Sequence, residues 1–378
     1  MLERATTVAD GVVKSEAAVV DDDWRWPEHG IRALQEAGLA GLVVPTSYGG
    51  LGYGMFALAR VCEILGERCS STGLCFGMHC VGSAVIAAKA TPDHAAYLES
   101  ISRGEHLTTL ALSEPGTGAH FYYPQTVLES VGSDLLRLNG CKSFVTNGGR
   151  ADSYVISTVA ADPSSPPGDF SCVIVRGDSK GMDWGPEWSG IGMRGNSSRT
   201  VTLNNVEVAC ADLLGKEGDQ IWYVFNVIAP YFLMAMAGCY LGISTAALDV
   251  ARVHLTSRRH THSGATLDQV GVLQHRLGTL WGIVERTRRL IYYASSHADA
   301  GRDDALPALF AAKVEAADCA VTVVNEAMTL TGGVSYEAGN KLGRLLRDAR
   351  AAHVMAPTTD ILRTWIARSL LDQPILGE

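Results

Sequence analysis

Cysteine pairing is the first feature that this 378-residue sequence lacks. Its nine cysteines are scattered along the chain, and none lies in a Cys-x-x-Cys arrangement. An odd number of cysteines without regular spacing excludes a disulfide framework. It predicts reduced, mostly buried thiols, as in a cytoplasmic protein. We also expect no metal site.

An excess of positive charge is lacking as well. The formal net charge is −9, and only 19% of the residues are charged. Electrostatic binding of nucleic acid needs a basic surface, so this composition does not support that class of function. Residues 1–23 are mixed and acidic rather than basic and then apolar. We therefore expect no signal peptide.

Charged residues are missing altogether from residues 221–248. A transmembrane helix needs about 20 consecutive apolar residues. This segment is interrupted by Asn226, Pro230 and several small residues, and it lacks a basic flank on one side. We expect a helix that is buried on all sides in a bundle or a subunit interface, and no membrane span.

The spacing of hydrophobic and β-forming residues divides the chain into three parts. Hydrophobic residues make up 47% of the sequence, which is enough for a large core. Residues 1–105 have helical spacing, and residues 217–378 contain long amphipathic runs at 267–300 and 306–331. Between them, short β-rich runs alternate with turns, at 107–112, 135–138, 154–159, 171–175 and 200–203.

These patterns predict an α+β multidomain fold. We expect an N-terminal helical domain over residues 1–105 and a C-terminal four-helix bundle over residues 217–378. The regular spacing of the strands predicts a small barrel or sandwich for residues 106–216, which we assign as a middle β-barrel domain.

A glycine-containing loop, residues 112–118, follows one of the strand-like runs. Pro115 fixes its own φ, while Gly116 and Gly118 let the backbone turn so that free N–H groups can approach a ligand. Such a loop suits a flat heteroaromatic ring or a phosphate. A plain surface turn has the same composition, so the loop alone does not decide between these alternatives.

Further motifs follow this loop in order. They are the stretch 139–149, the stretch 190–195, the Gly332-Gly333 pair and the run Arg347-Asp348-Ala349. In this order and spacing they resemble the acyl-CoA dehydrogenase family, flavoproteins that desaturate acyl thioesters. The resemblance covers nearly the whole chain. It implies that family's three-domain fold, with FAD bound against the middle domain.

The resemblance also implies which residues hold the flavin ring of FAD. By position, Ser113 and Thr146 supply hydroxyl groups at the ring edge, where a donor stabilises the negative charge that develops as hydride arrives. Phe144 stands where the family often has Trp, and packing in the core is its alternative role. The implied FAD-binding residues are Leu112, Ser113, Gly118, Phe144, Thr146, Arg259, Gln274, Thr329, Gly332, Gly333, Thr358 and Asp360.

The adenine half of FAD is expected to contact a neighbouring subunit. The Gly332-Gly333 pair falls where the family has a di-glycine, and Thr329 replaces the usual Gln. Arg259 or Arg258 is the candidate for holding the pyrophosphate, although the Phe-Gly pair that follows this Arg in the family is missing. The resemblance therefore implies a homodimer or homotetramer.

The sequence departs from the family at the catalytic base. Dehydrogenation of an acyl thioester needs a base within hydrogen-bond reach of the α-proton, and the family usually supplies a Glu. Ala356 and Phe232 occupy the two positions at which members carry that Glu. His120 is a candidate replacement, because its ordinary pKa is about 6.5, and a surface or packing role is the alternative. The implied substrate-binding residues are Ala119, His120, Tyr231, Phe232, Met355 and Ala356.

Three functions remain open from the sequence, because a fold does not fix a reaction. The first is α,β-dehydrogenation of an acyl thioester carried by CoA or an acyl carrier protein, with an electron-transfer flavoprotein or O₂ as acceptor. It requires a relocated base or a substrate with an acidic proton. The second is a flavin-dependent monooxygenase or oxidase. The third is a non-catalytic subunit of a heteromeric dehydrogenase.

Overall fold

The computed structural model describes residues 1–161, 164–166 and 168–376. The first part of the chain is helical, as predicted, with a π-helical turn between its first two helices. The helices are α1 (Leu2–Val8), α2 (Lys14–Asp22), α3 (Glu28–Glu36), α4 (Met55–Arg68), α5 (Ser70–Ala88) and α6 (Ala95–Ser102). Helix α5 packs against both the first strand of the middle part and the long helix that follows the sheets.

The middle part consists of short strands in two sheets. The strands are β1 (Thr108–Ala111), β2 (Val127–Ser130), β3 (Leu135–Val145), β4 (Ser153–Val159), β5 (Phe170–Arg176), β6 (Met182–Trp184) and β7 (Arg199–Ala209). Within the described residues, the first sheet has the order β1-β4-β5 and the second has the order β2-β3-β7-β6. Among the strand pairs of the described residues, only β1–β4 is parallel.

The predicted middle β-barrel is therefore wrong, because these sheets do not close into a barrel. Strands β3 and β7 pair with each other, while β4 lies between β1 and β5 in the other sheet. Among the described strands, none pairs across the two sheets, so both keep open edges. Regular spacing along the sequence predicted where the strands lie, but the choice of pairing partners depends on tertiary packing.

The last part is the predicted helical bundle. Its helices are α7 (Gln220–Tyr223), α8 (Ala229–Ser257), α9 (Gly271–Asp299), α10 (Ala305–Thr331), α11 (Lys341–Val354) and α12 (Thr359–Leu370). Helices α8, α9, α10 and α11 pack on one another, which confirms the four-helix bundle, and α12 packs on α10.

The part of α8 that lies in the charge-free segment 221–248 packs against α4 at very short range. A Cβ at Gly238 would stand 2.2 Å from the carbonyl oxygen of Ala59, and one at Gly242 would stand 2.3 Å from that of Glu63. Glycine at these positions lets the two backbones approach closely. Burial on several sides explains why the sequence has no charge in this segment.

Two helical segments, Ser70–Ala88 and Gln220–Ser257, are long and apolar enough to cross a membrane by length and composition. In their most apolar windows, 89% and 78% of the residues are buried inside the protein. Core helices of soluble proteins show the same combination of apolar composition and burial. All nine cysteines are free thiols, most of them buried.

Candidate functional site

A cavity of about 920 Å³ lies where the three parts of the chain meet. Its largely apolar walls are formed by the loop after β1, the end of β3 and residues 188–198, together with the start of α8 and the end of α11. Pockets for small molecules typically measure about 300–1,000 Å³, so this one has room for a ring system and a substrate arm together.

The cavity gathers a large part of the predicted site. The predicted FAD-binding residues that line it are Leu112, Ser113, Gly118, Phe144 and Thr146. The predicted substrate-binding residues that line it are Phe232, Met355 and Ala356. These two groups come from different parts of the chain, and packing of the sheets against the bundle brings them into one space.

The backbone of the glycine loop is hydrogen-bonded to the sheet on one side and unobstructed on the other. The backbone N–H of Ser143 donates to the carbonyl oxygen of Ser113 at 2.8 Å. Gly116 and Gly118 have φ angles of 89° and 54°, and nothing lies within 4 Å of an ideal Cβ at either position. The loop therefore presents bare backbone to a ligand, as the glycines predicted.

Phe144 faces the cavity in an unusual backbone conformation. Its φ is 55°, a region that residues other than glycine rarely adopt, and it lies at a bulge in β3. The residue is 68% exposed, so the alternative of a core-packing role does not hold. Its ring meets that of Trp188 edge-on, with the centroids 6.3 Å apart. The two rings, nearly perpendicular to each other, together form an apolar wall.

Thr146 supplies a hydroxyl group beside this wall. Its Oγ1 lies 3.4 Å from the Oγ of Ser198, a long contact that leaves the group able to bind a ligand. Its carbonyl oxygen is held by the hydroxyl of Thr109 at 3.0 Å, which fixes the backbone behind it. An apolar wall with hydroxyls at one edge fits the isoalloxazine ring of FAD, which has flat faces and a polar edge.

Glu114, in the same loop, is held in a buried ion pair. Its Oε1 lies 2.5 Å from the Nζ of Lys142 and accepts the hydroxyl of Thr126 at 2.7 Å. Its Oε2 accepts the backbone N–H of Gln125 at 2.8 Å. Lys142 also donates to the carbonyl oxygen of Ser157 at 2.6 Å, so the pair joins the loop to both sheets.

The protonation of this pair excludes Glu114 as a free base. Burial by itself raises the pKa of Glu114, but the charge of Lys142 and the surrounding donors bring that pKa below its usual value. Burial lowers the pKa of Lys142 to about 8, against the opposing effect of Glu114. Both groups are charged at pH 7. Among the described residues that line the cavity, Glu114 is the one carboxylate.

The two positions that the resemblance assigns to the family's catalytic Glu both reach the cavity. Phe232 comes from α8, and Ala356 from the turn between α11 and α12. Lys313 of α10, fully buried, holds this turn by donating to the carbonyl oxygens of Ala352 at 2.7 Å and Pro357 at 3.1 Å. Burial lowers the pKa of Lys313 to about 7.

The Arg347-Asp348 motif joins the three parts of the chain. Arg347 forms an ion pair with Asp21 and donates to the carbonyl oxygen of Ile191 at 2.9 Å. Asp348, fully buried, accepts the backbone N–H of Met193 at 2.7 Å. These contacts tie α2 and the segment 190–195 to α11, so the motif holds the cavity wall in place.

Three predicted substrate residues lie elsewhere, since Ala119, His120 and Tyr231 are absent from the described lining of the cavity. His120 lines a separate groove of about 340 Å³, where its ring stands 5.8 Å from that of Tyr122. The chain turns at Gly118, which has a positive φ, and Ala119 and His120 lie outside the lining, whereas Phe121 returns to it. Tyr231 is adjacent to Phe232 on α8 and therefore points about 100° away around the helix.

The remaining predicted FAD-binding residues also lie outside the cavity. They are Arg259, Gln274, Thr329, Gly332, Gly333, Thr358 and Asp360. Arg259 donates to the carbonyl oxygen of Gly264 at 3.0 Å, and the hydroxyl of Thr358 caps α12. Gly332 and Gly333 are exposed, with nothing within 4 Å of an ideal Cβ. Their contact with FAD held by a neighbouring copy stays a prediction.

Sequence reasoning missed several residues that line the cavity, among them Trp188, Asn196, Ser198 and Arg350. Trp188 precedes the motif 190–195 and Arg350 follows Arg347-Asp348-Ala349. Proximity to these motifs was the available signal, because a segment that forms a cavity wall commonly contributes its neighbouring residues too.

Comparison with known families gives matches along the chain. Residues 1–105 match the model described as "Acyl-CoA dehydrogenase, N-terminal domain". Residues 109–206 match the middle domain of the same family, and residues 231–371 match its C-terminal domain.

Similar curated proteins cover almost the full chain. A cyclohex-1-ene-1-carbonyl-CoA dehydrogenase of Geobacter metallireducens is 29% identical over 98% of this chain and 97% of its own length. A short-chain specific acyl-CoA dehydrogenase of Clostridium acetobutylicum is 27% identical over 95% of this chain and 94% of its own.

Solved structures show the same fold. Butyryl-CoA dehydrogenase from Megasphaera elsdenii superposes with a TM-score of 0.91 at 23% identity, covering 98% of this chain and 97% of that one. At this identity the likeness shows the fold alone.

Proposed function

Because the chain belongs to the acyl-CoA dehydrogenase family, we propose that it is an FAD-dependent oxidoreductase that oxidises the Cα–Cβ bond of an acyl thioester. Family membership supports FAD as its cofactor and a CH–CH group as its electron donor. The proposal rests on one observation. The cavity that joins Ser113, Phe144 and Thr146 also contains Met355 and Ala356, so a ring and a substrate arm would meet there.

Each residue has a proposed task. The hydroxyls of Ser113 and Thr146 bind the polar edge of the ring, and Phe144 covers its apolar part. These residues would hold FAD, whose ring would supply an acceptor for a hydride from the substrate's β-carbon. Met355 and Phe232 form walls of the space proposed for the acyl group.

The removal of the substrate's α-proton is the unusual feature of this proposal. Ala356 and Phe232 cannot accept a proton, and the negative charge of Glu114 is compensated by its ion pair with Lys142. We therefore propose a substrate whose α-proton is acidic enough to pass to solvent water, without a carboxylate from this chain. CoA or an acyl carrier protein is the proposed carrier, and an electron-transfer flavoprotein or O₂ the proposed acceptor.

A second candidate is a flavin-dependent monooxygenase or oxidase on the same fold. The observation that favours it is the apolar character of both base positions, since a reaction of O₂ at the flavin does not require removal of an α-proton. A third candidate, a non-catalytic subunit, requires a protein that binds no FAD.

Anaerobic titration distinguishes these candidates. The purified protein should be yellow, and a panel of CoA and carrier-protein thioesters should bleach its flavin absorbance without O₂. If no thioester bleaches the flavin, but a flavin reductase with O₂ yields an oxygenated product, the second candidate is correct. A colourless protein that does not take up FAD would support the non-catalytic subunit.

The proposal extends to assembly and location. The exposed residues Gln274, Gly332 and Gly333 are proposed to complete the FAD site of a neighbouring copy, in a homodimer or homotetramer. A cytoplasmic location and domain limits at residues 105 and 216 belong to the same proposal. Size-exclusion chromatography with light scattering tests the oligomeric state.

A further inference from the structure

Helix α11 presents one face to the cavity. Arg347, Arg350, Ala351 and Val354 all line it, with the i, i+3, i+4, i+7 spacing of a single helical face. Arg350 is exposed there. Within residues 1–161, 164–166 and 168–376, its guanidinium makes no hydrogen bond and no ion pair. One arginine on this face is therefore free to bind a ligand.

The other charges of the cavity wall are already paired. Arg347 forms its ion pair with Asp21, and Glu114 forms one with Lys142. Among the described residues that line the cavity, the remaining ionised group is Arg350. The cavity thus carries one uncompensated positive charge and no free negative charge.

The surroundings of Arg350 strengthen its attraction for an anion. Val354 lies one turn from Arg350 on the same helix face, and the carbonyl oxygen of Ile191 accepts from Arg347, one turn before it; both apolar side chains line the cavity and are 62% and 70% exposed. A ligand that covers these side chains excludes water from the arginine. Charge-assisted hydrogen bonds become stronger as the local dielectric falls.

From these observations we propose that Arg350 binds an anionic group of the substrate, and that this group is a free carboxylate on the acyl chain. The inference rests on the proposed function. Arg350 lies about one helical turn from Val354 and Met355, beside the space assigned to the acyl group. A guanidinium also binds the phosphates of CoA, so the experiment has to separate these two sources of negative charge.

Four thioesters separate them. The acyl group is a five-carbon chain ending either in a carboxylate or in its methyl ester, and each is attached either to CoA or to pantetheine, which has no phosphate. Dissociation constants are measured anaerobically from the change in flavin absorbance of the FAD-loaded protein. The variants are Arg350→Met, Arg350→Gln and Arg350→Lys. Arg176→Met, on an exposed pair with Asp178, is the control.

The wild-type protein should bind the carboxylate form about 10- to 100-fold more tightly than the methyl ester on both carriers. Arg350→Met and Arg350→Gln should abolish this preference, Arg350→Lys should keep part of it, and the control should keep all of it. Because Arg350 is exposed and unpaired, these variants should melt at the wild-type temperature.

Four results would overturn the inference. If the preference for the carboxylate form persists in Arg350→Met, Arg350 is not the residue that binds the carboxylate. If the Arg350 variants lose affinity for CoA thioesters but not for pantetheine thioesters, whatever the acyl group, Arg350 binds a phosphate of CoA instead. If neutral thioesters bind as well as charged ones, the proposed function stands and only the carboxylate is excluded. If no thioester binds, the proposed function fails and the substrate assignment falls with it.

Discussion

Ala356 offers the most direct test at the scale of single residues. Its side chain lines the cavity at the position that the resemblance assigns to the family's carboxylate. Ala356→Glu should therefore raise the rate of flavin bleaching by a saturated acyl-CoA, by about 100-fold if the new carboxylate reaches the α-proton. Anaerobic stopped-flow measurement gives this rate.

Ala356→Gln is the matched control, because it has the same size and no basic group. If Gln accelerates the reaction as much as Glu does, the gain comes from packing and not from proton transfer. No gain with either variant would mean that the substrate space has diverged beyond this one position.

His79 makes a second residue-scale prediction, on stability. It is fully buried; its Nε2 lies 3.0 Å from the carbonyl oxygen of Ala40, and its Nδ1 accepts the backbone N–H of Thr108 at 3.1 Å. Burial lowers its pKa to about 4. Between that value and 6.5 the unfolded chain binds the extra proton and the folded chain does not, so stability falls as the pH drops through this window.

From pH 7 to pH 5 the loss from His79 should be about 2 kcal/mol. Urea unfolding at the two pH values measures it. His79→Gln cannot take the proton, so its stability should change less over the same interval. An equal pH dependence in both proteins would contradict this assignment.

Single residues of the site were predictable where a motif marked them. Ser113, Thr146 and Ala356 lie in recognisable stretches, and the structure brings all three to the cavity. His120 follows the same glycine loop, but distance along the chain does not fix direction after a positive φ. Arg350 was not predictable, because the sequence does not show which charges find partners.

At the scale of elements, the Lys142–Glu114 ion pair links the glycine loop to both sheets. Lys142→Met should cost about 3–5 kcal/mol of unfolding free energy, because it leaves Glu114 buried without a partner. Denaturant unfolding measures the loss. Arg176→Met breaks an exposed pair, and its effect should stay within about 0.5 kcal/mol.

The double variant Lys142→Met/Glu114→Leu distinguishes the cause. Removing both charges should recover much of the lost stability, since no uncompensated charge remains in the core. If the double variant is as unstable as Lys142→Met, the loss comes from packing and not from the orphaned carboxylate.

Helices and strands with a strong hydrophobic pattern were predictable from the sequence, whereas the pairing of the strands was not. The helical runs at 267–300 and 306–331 correspond to α9 and α10, and the strand-like runs correspond to β1, β3, β4, β5 and β7. The short strands β2 and β6 were missed. The separation into two sheets depends on contacts far apart in sequence, such as Lys142 with Ser157.

At the scale of the whole molecule, the cavity needs all three parts of the chain. The sheets supply the hydroxyls, the bundle supplies the substrate wall, and Arg347 links both to α2 through Asp21. Binding of FAD there should make the parts melt together. Removal of FAD should lower the melting temperature, since a ligand that binds only the folded state stabilises it.

The last prediction concerns the neighbouring copy. Gly333 is exposed and has nothing within 4 Å of an ideal Cβ, so a side chain there leaves the single chain undisturbed. If its backbone approaches FAD across an interface, Gly333→Leu should weaken FAD binding about tenfold or more while the FAD-free protein melts as wild type. Gly132→Leu, equally open, is the matched control. Fluorescence titration of FAD measures the affinity, and a Gly333→Leu protein that binds FAD as the control does would show that this glycine pair has no role in the site.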